Sequence, residues 1–191
     1  MSVFNMKIGI TTTKLWDNNT RLVFKRLYNL HNYINFSFIE GVNRPNCKAV
    51  AKQFKMYCIG SLFYKDHDFE DQVMEACELA NECDVKYLML GSGRYRPAIE
   101  QETTYTELQS IAHRYHKEIL FEPIANTGIS CVADINKYNP LKAHVCLPCL
   151  EAIGESPLLI KGDVVNCHVT PNLLVKYIPY LNKLKRVTIE L

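Results

Sequence analysis

The sequence predicts an α/β fold, and within that class a compact (β/α)8 TIM barrel. Three observations carry the expectation. Eight short apolar or alternating runs succeed one another along the 191 residues. Segments of helical periodicity separate them, a pattern that yields parallel strands joined by right-handed crossovers. Several runs also end in polar residues able to do chemistry, which is where a barrel of this class assembles its site. An open doubly wound sheet is the alternative, and it would gather the strand ends in a crevice instead of a ring.

The first run is KIGIT, residues 7–11. Asp17, Asn18 and Asn19 can cap a helix, and Leu22, Val23, Leu27 and Leu30 recur at helical spacing over about 19–32. NFSFIEGV (35–42) alternates and ends near Glu40, Pro45 opens a short helix, and KMYCIGSLF (55–63) is a third strand. Phe69, Val73, Ala76, Cys77 and Ala80 share a helical face with Asp68 as its cap, ahead of the buried strand VKYLML (85–90) and Gly91-Ser92-Gly93. Thr104-Tyr105-Thr106-Glu107 fits a capping box for a helix whose stripe is Tyr105, Leu108, Ile111, Ala112 and Tyr115. ILFE (119–122) is a fifth strand stopped by Pro123, and residues 129–138 can form a helix. Strand six is expected at about 144–147, followed by a poor helix over 152–160 broken by Gly154 and Pro157. Strand seven covers 164–169. Thr170 and Pro171 then start a helix carrying Leu173, Leu174, Tyr177, Ile178 and Leu181, despite Pro179. RVTIE (186–190) is the eighth strand, with no helix after it.

Residues 1–191 are expected to form one domain: no repeat, low-complexity run or linker interrupts them, and the length supports a real core. The chain is 48% apolar and 22% charged with a formal net charge of +2. That charge gives no reason to expect a nucleic-acid or membrane-surface partner. No apolar run approaches the ~20 residues of a membrane helix. The N-terminus lacks the pattern of a secretion signal, so a reduced, cytoplasmic protein is expected, with the eight cysteines as thiols.

Several pieces of the chain resemble the xylose-isomerase-like barrel superfamily of sugar (phosphate) isomerases and epimerases, inosose dehydratases and endonuclease IV-like nucleases. MKIGITTTKLW is similar to its first strand. FEDQVMEACELANECDVKYLMLGSG is similar to its third helix and fourth strand, and ELQSIAHRYHKEILFEP to the segment ending in the fifth-strand Glu-Pro. GDVVNCHVTP and RVTIEL resemble strands seven and eight. The resemblance spans nearly the whole chain, through the order and spacing of pieces that are individually unspecific. It implies metal ligands at the ends of strands five to eight, and these fall on Glu122, His168 and Glu190. The sixth-strand Asp and the His after it do not carry over: Pro148 and Glu151 stand there, and Pro171 replaces the Asp that follows the seventh-strand His.

On physical grounds, alternation puts Leu120 with Glu122, and Thr188 with Glu190, on one face of their strands. Two carboxylates and an imidazole can hold a divalent cation, Mn, Mg or Zn, with Glu151 as a fourth ligand if its loop turns inward. Such a site would support metal-assisted proton transfer next to a carbonyl, for which the resemblance suggests Glu122 and Glu190 as the catalytic pair. Arg94 and Arg96 beside the glycine-rich turn can take a phosphate. Trp16 can stack on a sugar, and Glu40 can hydrogen-bond a polyol. Each also has a bland explanation: a strand-end Glu is often solvated, a lone His is often core, and a Gly-rich turn with Arg is common on surfaces. CLPC (146–149) admits a redox pair, half a zinc site or plain buried thiols, and Cys149, Cys167 and His168 can together form a soft site. Because redox pairs normally sit at a helix start, the expected position of the motif at a strand end argues against that use.

The expected function is therefore an isomerase or epimerase acting on a small-molecule sugar, sugar phosphate or polyol. The alternative is a non-catalytic barrel that binds a ligand or a protein partner, since the ligand set is incomplete. An abasic-site nuclease ranks last, because it needs more His, Asp and Glu at the mouth and a basic face. Strands one and eight, short of a closing helix, are candidates for cover by a homodimer partner.

Overall fold

The computed structural model describes residues 7–11, 38–40, 44–52, 54–63, 69–91, 98–139 and 142–190. Their strands are β1 (Lys7–Thr11), β2 (Phe38–Glu40), β3 (Cys58–Phe63), β4 (Tyr87–Gly91), β5 (Glu118–Glu122), β6 (Lys142–Cys146), β7 (Asp163–Val169) and β8 (Arg186–Glu190). The helices are α1 (Arg44–Ala51), α2 (Phe69–Glu82), α3 (Ala98–Arg114), α4 (Val132–Tyr138), α5 (Leu147–Ala152) and α6 (Pro171–Leu181), with a 3₁₀ turn at Pro157–Leu159. The helix expected over 19–32, Trp16, and the Ser92-Gly93 turn with Arg94 and Arg96 lie outside the described residues.

All strand pairs are parallel, in the orders β2-β1-β8-β7-β6 and β3-β4-β5. The two arcs meet where β5 lies against β6 and β2 against β3, so the strands run around a ring. Alternation along the strands sorts the side chains into two populations. Leu88, Leu90, Ile119, Phe121 and Ala143 pack outward with Val73, Ala76, Cys77 and Ala80 of α2 and Leu108, Ile111 and Ala112 of α3. Val145, Cys167, Val169 and Val187 form a second outer core with Leu147 and Leu150 of α5 and Leu181 of α6. Met89, Leu120, His144, Asn166, His168 and Thr188 occupy the intervening strand positions and are buried.

The amino end of the ring is plugged by Tyr57. Its hydroxyl donates to the Val165 carbonyl at 3.1 Å, and the Arg186 guanidinium lies 4.3 Å over its ring. Val165 is the extra residue where the β6–β7 register slips: Ala143 pairs Val164, but His144 pairs Asn166. This slip lets Val164 and Cys167, three positions apart, both pack outward, and it leaves Asn166 and His168 facing in.

Four boundaries differ from expectation in ways that matter. α3 begins at Ala98, so Thr104 to Glu107 lie inside the helix and cap nothing; Thr104 is buried there. Strand six starts and ends earlier, at Lys142 and Cys146. The expected helix over 152–160 is replaced by α5, which follows the strand without a loop, and by the 3₁₀ turn. Cys146 is therefore both the last strand residue and the α5 N-cap, so CLPC does sit at a helix start. Pro148 fits the first turn, where the missing N–H costs little. α5 ends as the Glu155 N–H bonds the Leu150 carbonyl at 3.0 Å, with Gly154 at φ 72° supplying the left-handed step.

Candidate active site at the carboxyl end of the barrel

β5, β6 and β7 bring their inward side chains together at the mouth. Glu122 closes β5; its Oε1 lies 3.5 Å from His168 Nδ1, with 18% of the glutamate side chain exposed. His144 on β6 meets His168 edge to face, their rings 4.3 Å apart and 85° inclined. Ligand atoms of Glu122, His144 and His168 all lie within 4.8 Å of one another, and so do those of Glu122, Cys146 and Cys149. Register explains the levels: Cys146 pairs His168 across β6 and β7, while His144 stands one inward position deeper beside Asn166. Thr188, which pairs His168 in register, donates from Oγ1 to Asn166 Oδ1 at 3.1 Å, a buried polar contact that ties β8 to β7.

Electrostatics favour an ionised Glu122. Burial pushes its carboxyl up, but the hydrogen bond with His168, the charges of His168 and His144 and a hydrogen bond from Cys146 outweigh it and hold the carboxyl below its usual range. Cys146 moves the other way: its contact with Cys149, burial and the Glu122 charge all push that thiol up. The two CLPC sulfurs are 3.1 Å apart, and no cysteine of the chain is in a disulfide.

The other expected residues are placed as follows. Glu190 ends β8 and pairs Thr11 of β1, which also pairs Glu40 of β2, so both glutamates stand at carboxyl strand ends; their side chains, like Trp16, Arg94 and Arg96, lie outside the described residues. Glu151 is a correction. α5 carries it to the outer surface, where it is exposed and takes hydrogen bonds from Lys176 and Tyr177 of α6, apart from the inward cluster. Cys167 is a second correction, since it packs in the outer core, on the opposite face from His168. His144 was missed. The signal for it was in KAHVC: with β6 ending at Cys146, alternation puts His144 and Cys146 on the face opposite Ala143 and Val145.

The ring of parallel strands with polar side chains at its carboxyl end is a TIM barrel, a fold it shares with a xylose isomerase domain containing protein. No family model matches the sequence, and no curated protein matches it in sequence. Solved structures do match in shape. A zinc-binding IolI protein superposes with a TM-score of 0.73 at 15% identity, over 97% of this chain and 89% of its own. An L-ribulose 3-epimerase gives 0.71 at 10% identity, over 97% and 81%. The probable 3-DHS dehydratase AsbF of Bacillus anthracis gives 0.67 at 14%, over 85% and 72%.

Proposed function

We propose that the chain is a metal-assisted isomerase or epimerase of a sugar, sugar phosphate or related polyol. The observation that supports this most is the convergence of Glu122, His144 and His168 at the mouth of a barrel whose neighbours in shape include a zinc-binding protein and an epimerase. One carboxylate and two imidazoles within 4.8 Å fit a divalent cation of the zinc or manganese type. Such a cation would supply Lewis-acid polarisation of a substrate carbonyl or hydroxyl.

The protein groups do the rest. Glu122, held ionised, accepts a proton from the carbon next to the carbonyl. Glu190, at the end of β8, returns a proton from its own side of the mouth. His168 fixes the Glu122 carboxylate at 3.5 Å and, with His144, offers nitrogen ligands. Trp16, Glu40, Arg94 and Arg96 are assigned to the substrate: the ring to a sugar face, the carboxylate to a hydroxyl and the two guanidinium groups to a phosphate.

The test is deuterium incorporation from D₂O into a panel of ketoses and ketose phosphates, followed by NMR with Mn²⁺, Mg²⁺ or Zn²⁺ supplied. Metal-dependent exchange at one carbon supports the assignment. One observation favours the second reading, a binding barrel without catalysis: the sixth strand presents a thiol, not a carboxylate, level with His168. Metal-loaded protein that binds a sugar but exchanges no proton would establish that reading instead.

A further inference from the structure

We propose that Cys146 and Cys149 of the CLPC run, with Glu122, bind a thiophilic divalent cation, so that the barrel mouth carries a sulfur-bearing position beside the imidazole position. The proposal deepens the metal reading by naming the cations the mouth selects. It does not require isomerase activity.

The geometry comes from three elements. Glu122 ends β5, Cys146 ends β6 and faces inward level with His168, and Cys149 follows in the first turn of α5. One ligand atom from each lies within 4.8 Å of the others. Around a tetrahedral zinc with ~2.3 Å Zn–S bonds, two sulfurs stand roughly 3.8 Å apart. Here they are 3.1 Å apart, so they need to open by well under 1 Å. Cys149 is only half-buried and can make that adjustment, while Cys146 is locked in the strand.

The grouping also has a chemical logic. Two thiols and a carboxylate are three acidic groups packed around one small space. A divalent cation suits all three at once, since a coordinating thiol is deprotonated outright. Two sulfurs favour zinc, cadmium or cobalt over magnesium and manganese, which prefer oxygen. Three protein donors leave the fourth tetrahedral place for a small ligand, the arrangement of reactive rather than purely structural zinc.

Cobalt(II) titrated into the reduced, full-length protein without oxygen is the test. The expected result is near-ultraviolet sulfur-to-cobalt charge-transfer absorption that Zn²⁺ displaces and excess Mg²⁺ or Mn²⁺ does not. Cys149→Ser should remove that absorption and weaken cobalt binding by at least about tenfold, the lower end of what losing even an outer partner costs a metal site. Cys83→Ser, just past the end of α2 and ahead of β4, and so at the opposite end of the barrel from the mouth, should leave both unchanged. Thermal melting reports whether Cys149→Ser is folded. Independently of any variant, Zn²⁺ should protect the half-buried Cys149 of the wild-type protein from alkylation. Absence of cobalt binding, absence of charge transfer, absorption that survives Cys149→Ser, or no protection by zinc would each overturn the proposal. Cobalt bound without charge transfer and lost in His168→Asn removes the sulfur position alone and leaves the isomerase reading standing. Charge transfer without proton exchange on any sugar does the reverse.

Discussion

Glu122→Gln separates what the mouth does from what holds it together. At 3.5 Å from His168 Nδ1, the carboxylate gains a gross attraction to a protonated imidazole of about 5 kcal/mol at an effective dielectric near 20. Removing most of the carboxylate from water opposes this by several kcal/mol. The attractive terms win, since the carboxyl sits below its usual range, but they win against a large opposing one. A neutral isostere surrenders both together, so the expected loss of stability is only about 0–2 kcal/mol, or up to roughly 8 °C in Tm for a chain of this size. Catalysis is hit far harder. An amide cannot accept the proton, and losing a positioned general base costs about 10²- to 10⁴-fold, equivalent to ~3–5 kcal/mol of barrier. Thermal melting and D₂O exchange on one preparation measure both. Turnover within tenfold of wild type would remove Glu122 as the base. A Tm fall beyond roughly 10 °C would show that the charge is structural.

Three further perturbations probe the frame around the site. Tyr57→Phe should cost about 0.5–1.5 kcal/mol, for the bond to the Val165 carbonyl, and Tyr57→Ala about 3–5 kcal/mol, for the ring under Arg186; equal urea midpoints for the two variants would mean that Tyr57 is no plug. Leu120→Ala, fully buried on the β5 face that carries Glu122, should lose about 2–5 kcal/mol in urea unfolding, and a loss under 1 kcal/mol would contradict its placement. Glu118 at the amino end of β5 is held by Lys86 at 2.8 Å and by Lys142. Although burial pushes its carboxyl up, the bonds from Lys142 and Lys86 prevail and hold it below the ordinary value of 4.5. A lowered folded pKa means that the stabilisation is present above pH 4.5 and is lost as the pH falls through the lower folded value. The two partly exposed pairs contribute roughly 0.5–1 kcal/mol each. The gap in stability between wild type and Glu118→Gln should therefore close on acidification, and a gap that widens would refute the assignment.

The strand–helix rhythm was legible where a strand buries a clean outer set, as β4 does with Leu88 and Leu90 and β5 with Ile119 and Phe121. Ile119 and Phe121 alternate with Leu120 and Glu122, and α2 repeats Val73, Ala76, Cys77 and Ala80 on one face. Local chemistry misled where a short motif competed with a longer helix. Thr104 to Glu107 has the residues of a capping box, yet α3 starts at Ala98 and runs through it, and Tyr105 and Leu108 share a buried stripe with Ile111 and Ala112. The slip at Val165 was not legible. Nothing in DVVNCHV marks an extra residue, and the partner that takes up the Val165 carbonyl, the Tyr57 hydroxyl, comes from 108 positions away in the sequence.

The boundary of strand six has the largest consequence for the site. Placing its end at Leu147 sends Pro148 and Glu151 toward the mouth and hides His144. Ending it at Cys146 reverses all three. Leu147 and Leu150, three apart, become the buried face of α5, Pro148 falls in the helical first turn, and Glu151 turns out to Lys176 and Tyr177. Those side chains hold the helix against the outer core, which fixes where the strand must stop. The stop then decides the donors: with Cys146 level with His168, the sixth strand presents a sulfur and, one inward position deeper, an imidazole. With Pro148 and Glu151 turned away, the sixth strand contributes a sulfur and a nitrogen to the mouth and no carboxylate. Those donors predict that the mouth prefers zinc to magnesium. Competition between Zn²⁺ and Mg²⁺ for the purified protein measures it, and a preference for Mg²⁺ would place the operative ligands elsewhere.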